Sequence, residues 1–273
     1  MDGIERLSPS VPEMPDFNNS ASFVWKTLPY RLEEVENYKA LKPDFLIGID
    51  HVKDLLIQNT KQFTEGFSAN NALLWGARGM GKSSLVTSVH SIFKTKNLKL
   101  IEIRKEDLGS LDALISLIHK EPFRFIVFCD DLSFVADETD YKVLKAMLDG
   151  GLESHHQNIL FYATSNRRHL ISRDMIENEG STGIHSSESV EEKVSLSDRF
   201  GLWLGFHSCN QEEYFSMVKT YCKMADIVID DHNLLRYALE WQQTRGSRSG
   251  RVAWQFISDL AGKNGINLLK KLL

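Results

Sequence analysis

The sequence predicts an α/β protein, a parallel sheet in three layers followed by a small helical domain. Three observations carry this. From about residue 44 short apolar strand patterns alternate with helical ones, as in βα units that feed a parallel sheet. Gly76-Ala77-Arg78-Gly79-Met80-Gly81-Lys82-Ser83 stands between such a strand and such a helix and fits GxxxxGK[ST] in full. After about residue 210 only helical patterns remain.

Five of the six prolines fall within the first 43 residues. Proline lacks the amide donor and fixes φ, so residues 1 to about 22 read as an extended arm. Residues 30–42 read as a helix, giving an N-terminal unit of residues 1–43. The strands expected next are 72–75, 98–103, 125–129 and 159–163, with a last one ending at 206. Helices are expected over 82–93, 108–119 and 141–148. Residues 172–195 are polar and rich in Ser, Gly and Glu and read as a mobile loop. The α/β domain then spans 44–208. The helical domain spans 209–273, with helices over 212–224, 232–243 and 252–263.

Composition narrows the function. Hydrophobic content of 42% and charged content of 25% suit a chain that buries a core. Lys+Arg 32 against Asp+Glu 37 gives a net charge of −5, which argues against a globally basic nucleic-acid coat. No apolar run approaches the roughly 20 residues of a membrane span. The N-terminus lacks a basic start with an apolar stretch behind it. The three cysteines form no CxxC. The cytosol is the expected compartment, with no membrane partner.

The phosphate loop has direct physics. Glycines let backbone amides turn toward phosphates without a Cβ in the way, and the helix start adds partial positive charge. Gly76, Ala77, Arg78, Gly79, Met80, Gly81, Lys82, Ser83 and Ser84 are the candidate ATP contacts. Lys82 can reach the β- and γ-phosphates, and the Ser83 hydroxyl can ligate Mg²⁺. The strand at 125–129 ends in Asp130-Asp131, which would point at the same crevice. Asp130 is the second metal candidate, and Asp131 the candidate base for an attacking water. The next strand ends in Thr164-Ser165-Asn166, where Asn166 could orient that water.

In this order the elements resemble those of the AAA+ ATPases. The resemblance implies that Asn166 is the sensor-1 residue and that Arg199, in Leu196-Ser197-Asp198-Arg199-Phe200, is an arginine finger acting on a neighbour's ATP. It also implies that Arg251, in Gly250-Arg251-Val252-Ala253, is the sensor-2 residue of a helical lid. Gly48 and Ile49 fall in the segment that covers adenine. LLWGARGMGKSSL, CDDLSF, LKAMLDGGLE, YATSNRRHL and LSDRFGLWL together resemble a bacterial family of predicted AAA+ ATPases with no assigned function, over about residues 44–262. Replication initiators and helicase loaders are a weaker likeness. Protein-unfolding members carry an aromatic pore loop after the second strand, whereas this chain has Arg104-Lys105-Glu106-Asp107-Leu108-Gly109. Peptide threading by such a loop is not expected.

Three functions stay open on the sequence. One is a Mg-dependent ATP hydrolase working as a ring or filament of copies, another a nucleotide-gated binding module with little turnover. The third is a DNA-directed loader, prompted by Arg245, Arg248 and Arg251 recurring every third residue. His155-His156 lacks a surrounding ligand set and reads as exposed polar surface rather than zinc.

Overall fold

The computed structural model describes residues 14–36, 40–95, 97–134, 140–149, 156–168, 170 and 196–268. The mobile loop expected over 172–195, His155 and the first 13 residues of the expected arm lie outside them. The chain runs β1 (Ser22–Thr27), β2 (Tyr30–Glu34), α1 (Asp50–Thr64), β3 (Ala72–Gly76), α2 (Lys82–Phe93), β4 (Leu98–Glu102) and α3 (Leu111–Ile118). It continues with β5 (Arg124–Cys129), α4 (Asp140–Asp149), β6 (Ile159–Ser165), β7 (Leu202–Phe206), α5 (Gln211–Met224), α6 (Asp231–Arg245) and α7 (Gly250–Lys263).

One seven-stranded sheet has the order β2-β1-β4-β5-β6-β3-β7. Every pairing is parallel except the β1–β2 hairpin. Successive strand residues point to opposite faces, and the two cores follow that alternation. Leu74, Ile126, Phe128, Leu160 and Tyr162 face one cluster, which also holds side chains of α1, α2 and α5–α7. Leu73, Phe125, Val127, Phe161 and Ala163 face the other, with α3 and Leu144 of α4. This is the expected three-layer arrangement.

The helix expected over 30–42 is not formed; Tyr30–Glu34 is the edge strand β2, antiparallel to β1 with Trp25 opposite Leu32. Leu32 is its one buried residue, so the segment carries almost no periodicity of its own. The hairpin fastens the stretch after β4. Lys105–Ser110 forms a 3-10 segment; Thr27 Oγ1 donates to Asp107 Oδ1 at 2.7 Å and Trp25 Nε1 to Ser110 Oγ at 2.8 Å.

The C-terminal helices have side-chain caps. Asn210 and Glu213 form a reciprocal capping box on α5. Asp230 accepts from Asn233 N on α6, and Ser249 from Val252 N on α7.

Candidate functional site

Strand register assembles the site. Trp75 of β3 pairs with Ser165 of β6, so the phosphate loop and Asn166 leave the sheet side by side. Cys129 of β5 pairs with Ala163, which sets Asp130 beside Thr164. All of these leave the carboxyl edge of the sheet, where ligands of open α/β sheets bind. A cavity of about 790 Å³ lies there, lined by the phosphate loop, Asp130, Asp131, Thr164, Asn166 and the facing sides of α5 and α7.

Unlike α5–α7, α2 has no side-chain cap; its N-cap is Gly81, left-handed at φ 91°. The first-turn amides are therefore open to an anion. Two glycines are required by close approach. At Gly76 (φ +125°) a Cβ would stand 2.1 Å from the Phe206 carbonyl oxygen, which already accepts from Ala77 N at 2.7 Å. At Gly79 (φ +74°) a Cβ would stand 2.8 Å from Ser249 Oγ. The Gly79 carbonyl accepts from Arg251 N at 3.0 Å, so the loop is hydrogen-bonded to the start of α7.

Lys82 is buried. Its Nζ donates to the Gly76 and Ala77 carbonyls at 2.9 Å and to Asn166 Oδ1 at 3.1 Å. Burial lowers its pKa, and Asp131 and Asp130 act in the opposite direction. Asn166 Nδ2 donates in turn to Asp131 Oδ1 at 2.5 Å, so one amide bridges the lysine and the candidate base. Ser83 Oγ donates to Asp130 Oδ1 at 2.5 Å. Thr164, buried, donates its hydroxyl to the same oxygen and accepts from Asp131 N at 2.9 Å. Asp131 is left-handed at φ 51°, and that amide bond holds the turn.

These groups fit a triphosphate and a hard cation. The loop offers amides and one lysine. Ser83 and Asp130 suit Mg²⁺, which is usually bound through one or two carboxylates with substrate phosphates and water completing its shell. Among the described residues no group of three His, Cys, Asp or Glu side chains could make a protein-only cage.

Most of the expected residues converge here: Arg78 through Ser84, Asp130, Asp131, Asn166 and Arg251 all line the cavity. Gly76 and Ala77 sit behind it as carbonyl acceptors for Lys82. Gly48 and Ile49 do not line it; the preceding Leu46 and Ile47 do, while Ile49 packs into the core. Arg199 is elsewhere. It precedes β7, whose first residue pairs with the first of β3, and so lies at the opposite, amino edge of the sheet. Its Nε donates to Asp149 Oδ1, and it borders a second cavity of about 610 Å³ with Asn70, Arg124 and His156. Arg245 stacks over Trp241, 4.9 Å to the ring centroid, and Arg248 Nε donates to Gln242 Oε1 at 3.4 Å. Thr164, Met217, Tyr221 and Trp254 escaped the sequence reading; only Thr164 had a local signal, as part of a small polar strand end.

No curated protein matches the sequence. Solved structures of RuvB from Thermotoga maritima are similar. A proline-to-glycine mutant superposes with a TM-score of 0.50 at 13% identity, over 86% of this chain and 89% of that one. The RuvB Holliday junction branch migration motor gives 0.48 at 14%, over 86% and 88%. A threonine-to-valine mutant gives 0.49 at 14%, with the same coverage. The family described as Protein of unknown function (DUF815) matches residues 18–264. The sheet order and the phosphate loop give the chain an AAA+-type fold, and with a match over nearly its whole length the chain belongs to that family of unknown function.

Proposed function

We propose that the protein binds ATP with Mg²⁺ and hydrolyses it, and that nucleotide state is coupled to assembly of its copies and to remodelling of a partner. The observation that carries the reading is the hydrogen-bonded chain Lys82–Asn166–Asp131 beside the Ser83–Asp130 pair. In this reading Lys82 exchanges the Asn166 oxygen for phosphate oxygens. Asn166 is then free to orient a water, and Asp131 takes its proton. Ser83 and Asp130 hold Mg²⁺, which supplies charge neutralisation at the β- and γ-oxygens when bound. Arg251 relays the phosphate state to α7. Arg199 acts on the nucleotide of an adjacent copy in a ring or filament, and its place at the far edge of the sheet supports that role. The cytosol remains the expected compartment; among the described residues no helix is long and apolar enough to cross a membrane.

The test pairs two variants. Lys82→Ala should weaken ATP binding by about 10²-fold, the order that a charge-assisted hydrogen bond of up to about 3 kcal/mol supplies. Asp131→Asn should bind ATP as the parent does and turn over at least tenfold more slowly. Parent-like affinity in folded Lys82→Ala would refute the phosphate site, and parent-like turnover in Asp131→Asn would remove the base. A nucleotide-gated module with little turnover is the second reading, favoured by the short carboxylate of Asp131 being held by Asn166. It predicts ATP-dependent assembly at a hydrolysis rate that does not rise with protein concentration. The DNA-directed reading requires salt-dependent DNA binding, which the intramolecular partners of Arg245 and Arg248 do not favour.

A further inference from the structure

Two chemically different sets of side chains line the cavity. Its charged side chains and the Asn166 carboxamide belong to the phosphate loop and its helix, the ends of β5 and β6, and Arg251. The lining also includes apolar Leu41, Leu46 and Ile47 from the segment before α1, and Met217, Tyr221 and Trp254 from α5 and α7. The Tyr221 hydroxyl is committed, donating to the Phe45 carbonyl at 2.8 Å in a buried position. The Trp254 ring stands edge-on to Tyr221, with centroids 5.8 Å apart and an interplanar angle of 82°. Trp254 follows Arg251 by three residues on α7, so the two share a helix face. A ligand whose phosphates reach Arg251 therefore has the Trp254 ring within one helical turn, in the same cavity. None of the six side chains of the second set carries a carboxylate, carboxamide or guanidinium.

We infer that Trp254 is a base-contacting residue, and that the site holds a purine by stacking and apolar contact rather than by reading the substituents that separate adenine from guanine. This rests on the nucleotide-site reading above. A site whose buried polar groups match a substituent rejects the wrong ligand by about 10⁴–10⁵, whereas an apolar pocket discriminates by only about 10². ATP and GTP should thus bind within about 10²-fold of each other, with the six-membered-ring substituents directed away from any dedicated side-chain partner.

Isothermal titration of the full chain with Mg²⁺ and, separately, ATP, GTP and inorganic tripolyphosphate tests this. Both nucleotides should bind more tightly than tripolyphosphate. Trp254→Ala should weaken ATP and GTP in parallel by about tenfold, within the range of base–aromatic stacking, and leave tripolyphosphate affinity unchanged. Trp254→Phe should restore most of the loss. A preference for ATP over GTP beyond about 10²-fold would overturn the inference. So would Trp254→Ala binding ATP as the parent does, or losing tripolyphosphate as steeply as ATP, which would make the indole a structural support. Tripolyphosphate binding with no gain from the base would overturn this inference alone. A parent chain that binds none of the three would sink the phosphate-site reading and this one with it.

Discussion

Thr164 governs the acidic end of the site from a buried position. Its one hydroxyl donates to Asp130 and accepts from the amide of Asp131, so the Asp130 carboxylate and the Asp131 backbone are both tied to β6. Thr164→Val keeps the shape and removes both bonds. It should lower stability by about 1–3 kcal/mol, the range for stranding a buried polar partner. It should also raise the Mg²⁺ concentration needed for half-maximal turnover, while Thr164→Ser restores both. A magnesium titration indistinguishable from the parent's would show that Asp130 needs no such anchor. His90 offers a second test, by pH. It is fully buried, and burial pushes its pKa down from 6.5 to about 4, with the Leu98 carbonyl near Nε2 opposing the shift. Between those values the unfolded chain binds more protons than the folded one. The contribution is intact above about pH 6.5 and is lost as pH falls toward 4, roughly 3 kcal/mol in all. The urea midpoint should decline over that window in the parent, and less steeply in His90→Gln.

At the scale of elements, the N-terminal hairpin determines what the stretch after β4 can do. Protein-unfolding members carry an aromatic pore loop there, as the resemblance implies. Here Asp107 and Ser110 are hydrogen-bonded to Thr27 and Trp25, so the Lys105–Ser110 segment is fastened to β1. Thr27→Val with Trp25→Phe should raise amide hydrogen exchange across Lys105–Ser110 and leave ATP affinity untouched. Exchange already fast in the parent would mean that the staple does not hold. The hairpin is also what the sequence concealed. Tyr30–Glu34 buries one side chain, and flanking prolines mask its pairing, which only β1 can dictate. The strands that carry the site were legible because each is a short apolar run with a polar end, and the phosphate loop because its residues are contiguous. Thr164 and Trp254 were not. One acquires its role from the register between β5 and β6, the other from α7 packing over the loop, and neither relation is written in neighbouring residues.

At the scale of the whole molecule the two ends of the proposed chemistry sit on opposite edges of the sheet. Lys82, Asp131 and Asn166 leave the carboxyl edge; Arg199 precedes β7 at the amino edge and pairs with Asp149. Arg199→Ala should bind ATP nearly as the parent does and hydrolyse it at least 10²-fold more slowly, since such a finger is worth about 10³–10⁵ in rate. Mixed with Lys82→Ala, which keeps its arginine, it should recover activity above the sum of the separate rates. Co-assembled mixtures that show no such gain would confine Arg199 to partners within its own chain, Asp149 among them. The separation of the edges also fixes an arithmetic for the assembly. If each finished centre draws one edge from each of two copies, an open row of n copies holds n − 1 finished centres and a closed ring holds n. A dimer would be half-used and a long row almost fully used, so rate per copy would climb with length and step up again on closure. Turnover would then serve as a counter of how many copies have met and whether their ends have joined.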